Sequence, residues 1–176
     1  MRISVLNAGL ACFVAGYGLI ATPAAHAATV PTNTLATGSV CQLSIPTTNT
    51  GVRPKATGFR NESTTTSNFV ICPLPLPNAT GSGITAMYAG FYSLDGTSRD
   101  VSCTAVTSWF GGASQLYSSK TLAVTTTTSY QLLSWDASDF GGTAGSAFVA
   151  MSMTCNLPPQ TAISVVQVNY NYNIGT

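Results

Sequence analysis

Carboxyl groups are the side chains with which this chain could carry out acid–base chemistry. There are five of them: Glu62, Asp95, Asp100, Asp136 and Asp139. Asp136 and Asp139 stand three residues apart before a Gly-Gly pair. They could serve a carboxylate-only glycoside hydrolase or, with backbone carbonyls, bind Ca²⁺. Asp and Ser before glycines are also ordinary turn formers that bond to their own backbone. We therefore interpret the segment as a turn and expect no catalytic residue, metal or cofactor.

The one histidine, His26, lies in a segment with the pattern of an export signal. A positive start, an apolar run over residues 5–21 and the small residues Ala25 and Ala27 are typical of a cleavable signal peptide. The run is shorter than a membrane span of about 20 residues. The sequence predicts a signal peptide over residues 1–27 and a protein in the periplasm, at the cell surface or in the medium, with no membrane span after cleavage. Its loss removes the histidine, which excludes Ser-His-Asp and Cys-His catalysis.

Charge is scarce along the chain. Only 6% of the residues are charged, and loss of Arg2 with the signal leaves basic and acidic side chains equal in number. Nucleic acid is excluded as a partner, because binding its backbone needs clustered Lys and Arg. Near-neutrality favours an assembling or surface-attached protein. Arg53, Lys55 and Arg60 form one basic cluster, which could contact acidic polysaccharide or lipid head groups or simply be a solvated face.

Trp135 directly precedes Asp136 and lies close to Asp139. An aromatic platform beside carboxylates resembles a sugar-binding surface, so these three residues are the candidate ligand-binding site. The competing interpretation places the indole in the core, where most large aromatic side chains lie.

Strand patterns fill the chain from Ser39 onward. Alternation is clearest over residues 166–174 and 149–157, where apolar and polar side chains follow a period of two. Seven further segments show weaker alternation: Val40–Ile45, Ala56–Glu62, Asn68–Leu74, Ile84–Leu94, Asp100–Phe110, Gln115–Val124 and Ser129–Trp135. About nine short strands predict an all-β antiparallel sandwich over residues 39–176. Residues 28–38 lack alternation and are predicted to be a flexible lead-in.

The cysteines indicate disulfides. Without the signal, four remain, Cys41, Cys72, Cys103 and Cys155, and an exported chain normally oxidises such a set. Three connectivities are possible, and we favour Cys41–Cys72 with Cys103–Cys155, which pairs neighbours along the chain. The absence of a C-x-x-C spacing argues against zinc.

The cysteine contexts also support a resemblance. The segments are Val40-Cys41-Gln42-Leu43, Cys72-Pro73-Leu74, Val101-Ser102-Cys103 and Cys155-Asn156-Leu157-Pro158. Together with the signal pattern, this order resembles small secreted β-rich proteins of Gram-negative bacteria. The resemblance implies a signal peptide, two disulfides and a sandwich fold, and it implies no activity.

These features favour a non-enzymatic bacterial protein with a structural or adhesive role at the cell surface or in secreted material. Its partners would be surface glycans or other surface proteins, and the sequence leaves the oligomeric state open. Three alternatives stay open: a carbohydrate-binding module that uses Trp135, a carboxylate-only glycoside hydrolase, and a β-rich toxin or inhibitor that acts on another cell. Exposure of the Trp135 indole distinguishes the first alternative from the others.

Overall fold

The computed structural model describes residues 28–45, 51–75, 83–107 and 114–174, without the side chains of residues 150, 151 and 173. The predicted signal peptide, residues 1–27, lies outside the described residues. Within them, the strands are β1 (Ala28–Thr37), β2 (Gln42–Leu43), β3 (Val52–Lys55), β4 (Gly58–Asn61), β5 (Asn68–Pro73), β6 (Ile84–Ser93), β7 (Arg99–Thr107), β8 (Leu116–Val124), β9 (Gln131–Asp136), β10 (Ala150–Leu157) and β11 (Thr161–Ile174). In this part of the chain, no helix has the length and apolar character needed to cross a membrane.

The strands form two antiparallel sheets that pack face to face. Sheet A has the order β3-β4-β11-β6-β9, and β1 lies beside the long strand β11. Sheet B has the order β2-β5-β10-β7-β8. The predicted all-β sandwich is therefore confirmed. Because connected strands often belong to different sheets, residues distant in sequence meet on one face.

Alternation along the strands builds the core between the sheets. Side chains on the inner face of β6 and β11 meet those of β7 and β10, and the following members are fully buried: Met87, Ala89, Phe91, Val101, Ala105, Met153, Leu157, Val166 and Val168. Full burial of a Val, Leu, Met or Phe side chain contributes about 1.5–3 kcal/mol to the stability of the fold. The opposite face of β7 carries polar alternates such as Ser102 and Thr104, whereas the outer face of sheet A also includes Ala86, Gly90 and the exposed Leu132.

Residues 28–37 correct the prediction of a flexible lead-in. They form strand β1, which pairs with β11 in continuous register from Ala28 opposite Ile174 to Thr37 opposite Val165. The segment lacks hydrophobic alternation because it is exposed along its first four residues and carries threonine on both faces. Backbone pairing and the β preference of threonine hold it in place instead. The folded domain thus includes residues before Ser39.

The sequence pattern does not predict strand β3 either. It is a four-residue edge strand containing Pro54, and it pairs with β4 only. Proline cannot donate a ladder hydrogen bond, so within sheets it is confined mainly to such edges. A two-residue turn that includes Thr57 joins β3 to β4.

Both predicted disulfides are confirmed. Cys41 is bonded to Cys72 and Cys103 to Cys155, with Cα–Cα distances of 4.1 and 4.0 Å. Cys103 and Cys155 are direct register partners on β7 and β10. All four cysteines are buried, so both bonds form part of the core on the sheet B side.

Candidate functional site

Trp135 does not offer a surface to a ligand. Its register partner on β6 is Met87, which places the indole on the inner face of sheet A, where 1% of the residue is exposed. The indole nitrogen donates a hydrogen bond to the Ser118 carbonyl at 3.2 Å. The Lys120 ammonium lies 5.9 Å from the centre of the ring. Trp135 therefore belongs to the core. The carbohydrate site predicted from the sequence required an exposed indole, and this indole is buried.

Asp136 and Asp139 cap the short 3₁₀ helix Ala137–Phe140. The Asp136 carboxylate accepts from the Ser138 backbone N–H at 2.7 Å, and the Asp139 carboxylate accepts from the Asp136 N–H at 2.9 Å. This reciprocal arrangement is a capping box. Asp139 also forms a 2.8 Å ion pair with Lys120. Both carboxylates are thus engaged in holding the turn, as its Asp, Ser and Gly composition predicts.

Glu62, Asp95 and Asp136 do not show the raised pKa of a general acid. Hydrogen bonding to Arg53 lowers the pKa of Glu62, the Arg99 guanidinium lowers that of Asp95, and the Ser138 hydroxyl lowers that of Asp136. A glycosidase acid needs a raised pKa. Among the described residues, no group of three or more His, Cys, Asp or Glu side chains could hold a metal ion.

A cleft of about 310 Å³ lies instead on the outer face of sheet A. It is bordered by the β3–β4 turn, strands β4 and β6, the β8–β9 connection and β11. Its lining is Thr57, Arg60, Tyr92, Thr127, Thr128, Ser129, Tyr130 and Ser164. Every member is neutral except Arg60, and every member carries a hydrogen-bonding group.

Tyr130 provides the most exposed aromatic ring of the cleft. Of its surface, 54% is accessible, and its ring lies against the backbone of Gly90 on β6. A Cβ atom at position 90 would stand 3.0 Å from Tyr130 Cδ2 and 2.7 Å from Val165 Cγ1. Glycine is therefore required for the ring to lie this close to the sheet.

The connection that carries Tyr130 is held by side-chain hydrogen bonds. The side-chain amide oxygen of Gln131 accepts a hydrogen bond from the Thr125 backbone N–H at 2.7 Å. The Ser93 N–H donates to the Thr126 carbonyl at 2.7 Å, which ties the connection to the end of β6. These bonds hold the backbone on both sides of Tyr130 before a ligand binds, and this reduces the entropy that binding must overcome.

Arg60 and Tyr92 form the floor of the cleft. They lie on either side of Ala162, which is the register partner of both. Arg60 Nε donates to the Tyr92 hydroxyl at 2.9 Å, and its guanidinium carbon lies 5.8 Å from the centre of the ring. Arg60 Nη2 donates to the Thr57 hydroxyl at 2.8 Å. The small side chain of Ala162 gives the two larger ones room to meet.

A β-bulge brings β11 into the cleft. Ile163 pairs with Phe91 and Val165 pairs with Gly90, so Ser164 is an extra residue between them. Bulges redirect side chains relative to the regular pleat. Ser164 thereby contributes its hydroxyl to the lining, although the regular alternation of β11 would not predict it.

The basic cluster divides when it is seen in three dimensions. Arg53 and Lys55 both contact the Glu62 carboxylate, at 2.6 and 3.4 Å, whereas Arg60 faces the cleft. The sequence pointed to Arg60 as a member of this cluster, but it gave no indication of Tyr92 or Tyr130. Tyr92 is one of several strand aromatics, and Tyr130 follows a threonine run. Only the order of the strands brings them together.

Comparisons with known proteins returned structural similarities only. The chain is similar to the family 11 carbohydrate-binding module from Clostridium thermocellum in complex with a β-1,3-1,4-mixed-linked tetrasaccharide, with 11% identity, a TM-score of 0.36 and coverage of 85% of this chain and 89% of that one. It is also similar to the family 11 module of the cellulosomal cellulase Lic26A-Cel5E of Clostridium thermocellum, with 10% identity, a TM-score of 0.35 and coverage of 85% and 88%. No protein-family model and no curated protein matches the chain.

Proposed function

We propose that this protein is an extracytoplasmic, non-enzymatic recognition protein that binds carbohydrate in the outer cleft of sheet A. The observation that carries the proposal is the exposed Tyr130 ring, fixed against Gly90 beside Tyr92 and surrounded by hydroxyl groups. A sugar ring has an apolar C–H face and a rim of hydroxyls. The cleft matches both, with an aromatic surface for the first and Thr and Ser hydroxyls for the second.

The setting that we propose is the cell surface or secreted material, where glycan binding would give the protein an adhesive role. Two buried disulfides suit an oxidising compartment. The lowered pKa values of Glu62, Asp95 and Asp136 disfavour these three groups as general acids, which supports binding rather than hydrolysis.

Substitution of Tyr130 by alanine tests this function. We expect the dissociation constant for the preferred glycan to rise about tenfold or more, as for an aromatic residue central to an interface. The measurement is binding of purified, oxidised protein to a glycan array, followed by titration calorimetry with the best ligand. Tyr117→Ala is the matched control, because Tyr117 is a tyrosine of β8 with 60% of its surface exposed. Equal loss of binding in both variants would contradict the proposal.

A structural role through self-association is the second candidate, favoured by one feature. Beyond Tyr170, strand β11 is paired only with β1 among the described strands. This ribbon exposes apolar side chains on the face that continues from the core, namely Val30, Tyr172 and Ile174. A chain with little net charge offers weak repulsion against a second copy covering that face.

Sedimentation analysis tests the second candidate. We expect a dimer of the wild-type protein that dissociates at least partly in Tyr172→Thr, since the substitution removes apolar contact area and places another residue with high β propensity on the strand. A wild-type protein that sediments as a monomer at all accessible concentrations would exclude this role.

A further inference from the structure

We infer that the sugar bound in the cleft is anionic, and that Arg60 binds its carboxylate or sulfate group. This inference rests on the proposed function and specifies the ligand class of the same site. It begins with the ion pairs. In the part of the chain that the structure describes, four basic side chains contact a carboxylate: Arg53 and Lys55 contact Glu62, Arg99 contacts Asp95, and Lys120 contacts Asp139.

Arg60 differs from these four. Within the described residues it forms no ion pair; its two hydrogen-bond acceptors are the neutral hydroxyls of Tyr92 and Thr57. These contacts use Nε and Nη2, and they leave Nη1 without an acceptor among the described residues. No described carboxylate therefore offsets the charge of the guanidinium, and at least one N–H group is available for an additional partner.

The surroundings of Arg60 make an anion the fitting partner. No carboxylate is among the residues that line the cleft, so nothing within it offsets the charge of Arg60. Hydrogen bonds between a guanidinium and an anion are shorter and about twice as strong as those between neutral groups. The contacts to Tyr92 and Thr57 already orient the guanidinium, so binding an anion requires little further ordering.

The position of Arg60 beside the aromatic rings indicates a charged sugar rather than a free anion. The guanidinium packs over Tyr92, and Tyr130 borders the same cleft. A uronic acid or a sulfated sugar presents a negative substituent on a ring that also has an apolar face. One ligand of this kind would satisfy the cation, the aromatic side chains and the hydroxyl groups together.

The test compares matched polymers. Polygalacturonate, the same polymer after carboxyl reduction, and a sulfated galactan would be titrated into wild-type protein at low and high salt. We expect at least one charged polymer to bind about tenfold more tightly than the neutral one, and this preference to weaken at high salt. The comparison between carboxylated and sulfated polymers identifies which anion is preferred.

Two arginine variants locate the effect. We expect Arg60→Gln to lose the charged preference by about tenfold or more. Arg53→Gln makes the same change in net charge at the position directly opposite on β3. We expect this variant to keep the preference for charged polymers, because Arg53 is already paired with Glu62. Arg60→Lys keeps the charge without the planar fork, and we expect an intermediate affinity that remains salt-dependent.

The outcomes separate this inference from the proposed function. Binding of neutral and charged polymers with equal affinity, unaffected by salt, would overturn the anionic ligand and leave carbohydrate binding in place. A charged preference that Arg53→Gln abolishes as fully as Arg60→Gln would also overturn the role of Arg60. Failure to bind any neutral or charged glycan on the array would overturn the proposed function itself.

Discussion

Replacing Trp135 with alanine lowers the free energy of unfolding by about 3–5 kcal/mol in our expectation, the range for removal of a buried aromatic side chain. Trp135 is the largest of the fully buried side chains among the described residues, and its indole N–H donates a hydrogen bond to the Ser118 carbonyl. Its loss leaves a cavity between the sheets and an unpaired carbonyl on β8. The measurement is equilibrium urea denaturation of the oxidised protein.

Tyr117→Ala serves again as the control, because Tyr117 is exposed and its hydroxyl donates only to the exposed Gln115 side chain; a surface substitution of this kind changes stability by about 0.5 kcal/mol or less. Trp135→Ala that is still folded at low temperature should retain glycan binding, since the indole does not line the cleft. A Trp135→Ala variant with wild-type stability and abolished binding would contradict the assignment of Trp135 to the core. It would support the ligand-binding site at Trp135, Asp136 and Asp139 that the sequence predicts.

Removing the Cys103–Cys155 disulfide by a double alanine substitution should lower the free energy of unfolding by about 4 kcal/mol. The bond closes a loop with a sequence separation of 52 residues, and the conformational entropy that the unfolded chain regains without this cross-link gives the magnitude. The two sulfurs also fill space in the core beside Met153 and Val101. Calorimetric melting of the wild type and of Cys103→Ala/Cys155→Ala checks the value.

The Cys41–Cys72 bond provides the comparison for this prediction. Its sequence separation is 31 residues, so the same entropy argument gives a slightly smaller loss of about 3.5–4 kcal/mol. It also attaches the two-residue strand β2 to β5. Unfolding midpoints that are unchanged in both double variants would contradict the view that these bonds hold the sandwich together.

Much of the fold follows from local patterns, because alternation reports which face of a strand is buried. Residues 166–174 alternate clearly because Val166 and Val168 contact the opposite sheet. Strand β1 does not alternate because much of it is exposed and it gains its stability from backbone pairing with β11. A pattern of side chains cannot report pairing that depends on a distant strand.

The site was less accessible to sequence reasoning. Trp135 follows the alternation of its own strand, since Leu133 stands two residues earlier and both are buried. Its two acidic neighbours also fit a sugar-binding surface, so the sequence left both interpretations open. The cleft itself needs the strand order β4-β11-β6 and the bulge at Ser164. Sheet order and bulges arise from long-range packing, and no local spacing encodes them.

The two kinds of arginine show what the structure adds. Arg53 and Arg60 are directly opposite each other on β3 and β4 and belong to the same cluster in sequence. One is neutralised by Glu62, whereas the other contacts only neutral acceptors at the edge of an aromatic cleft. The distinction depends on which side chains surround each guanidinium. It supports the hypothesis that Arg60, and not Arg53, binds an anionic group of the ligand.

The measurement that tests the central claim most directly is amide and side-chain NMR of the oxidised protein titrated with the best oligosaccharide from the array. Our account predicts saturable shifts at Arg60, Tyr92, the 127–130 segment and Ser164, with Trp135 and the capping turn unchanged. Shifts confined to the Trp135–Phe140 region or to the β1–β11 ribbon would contradict it. So would a folded protein whose spectrum no glycan changes.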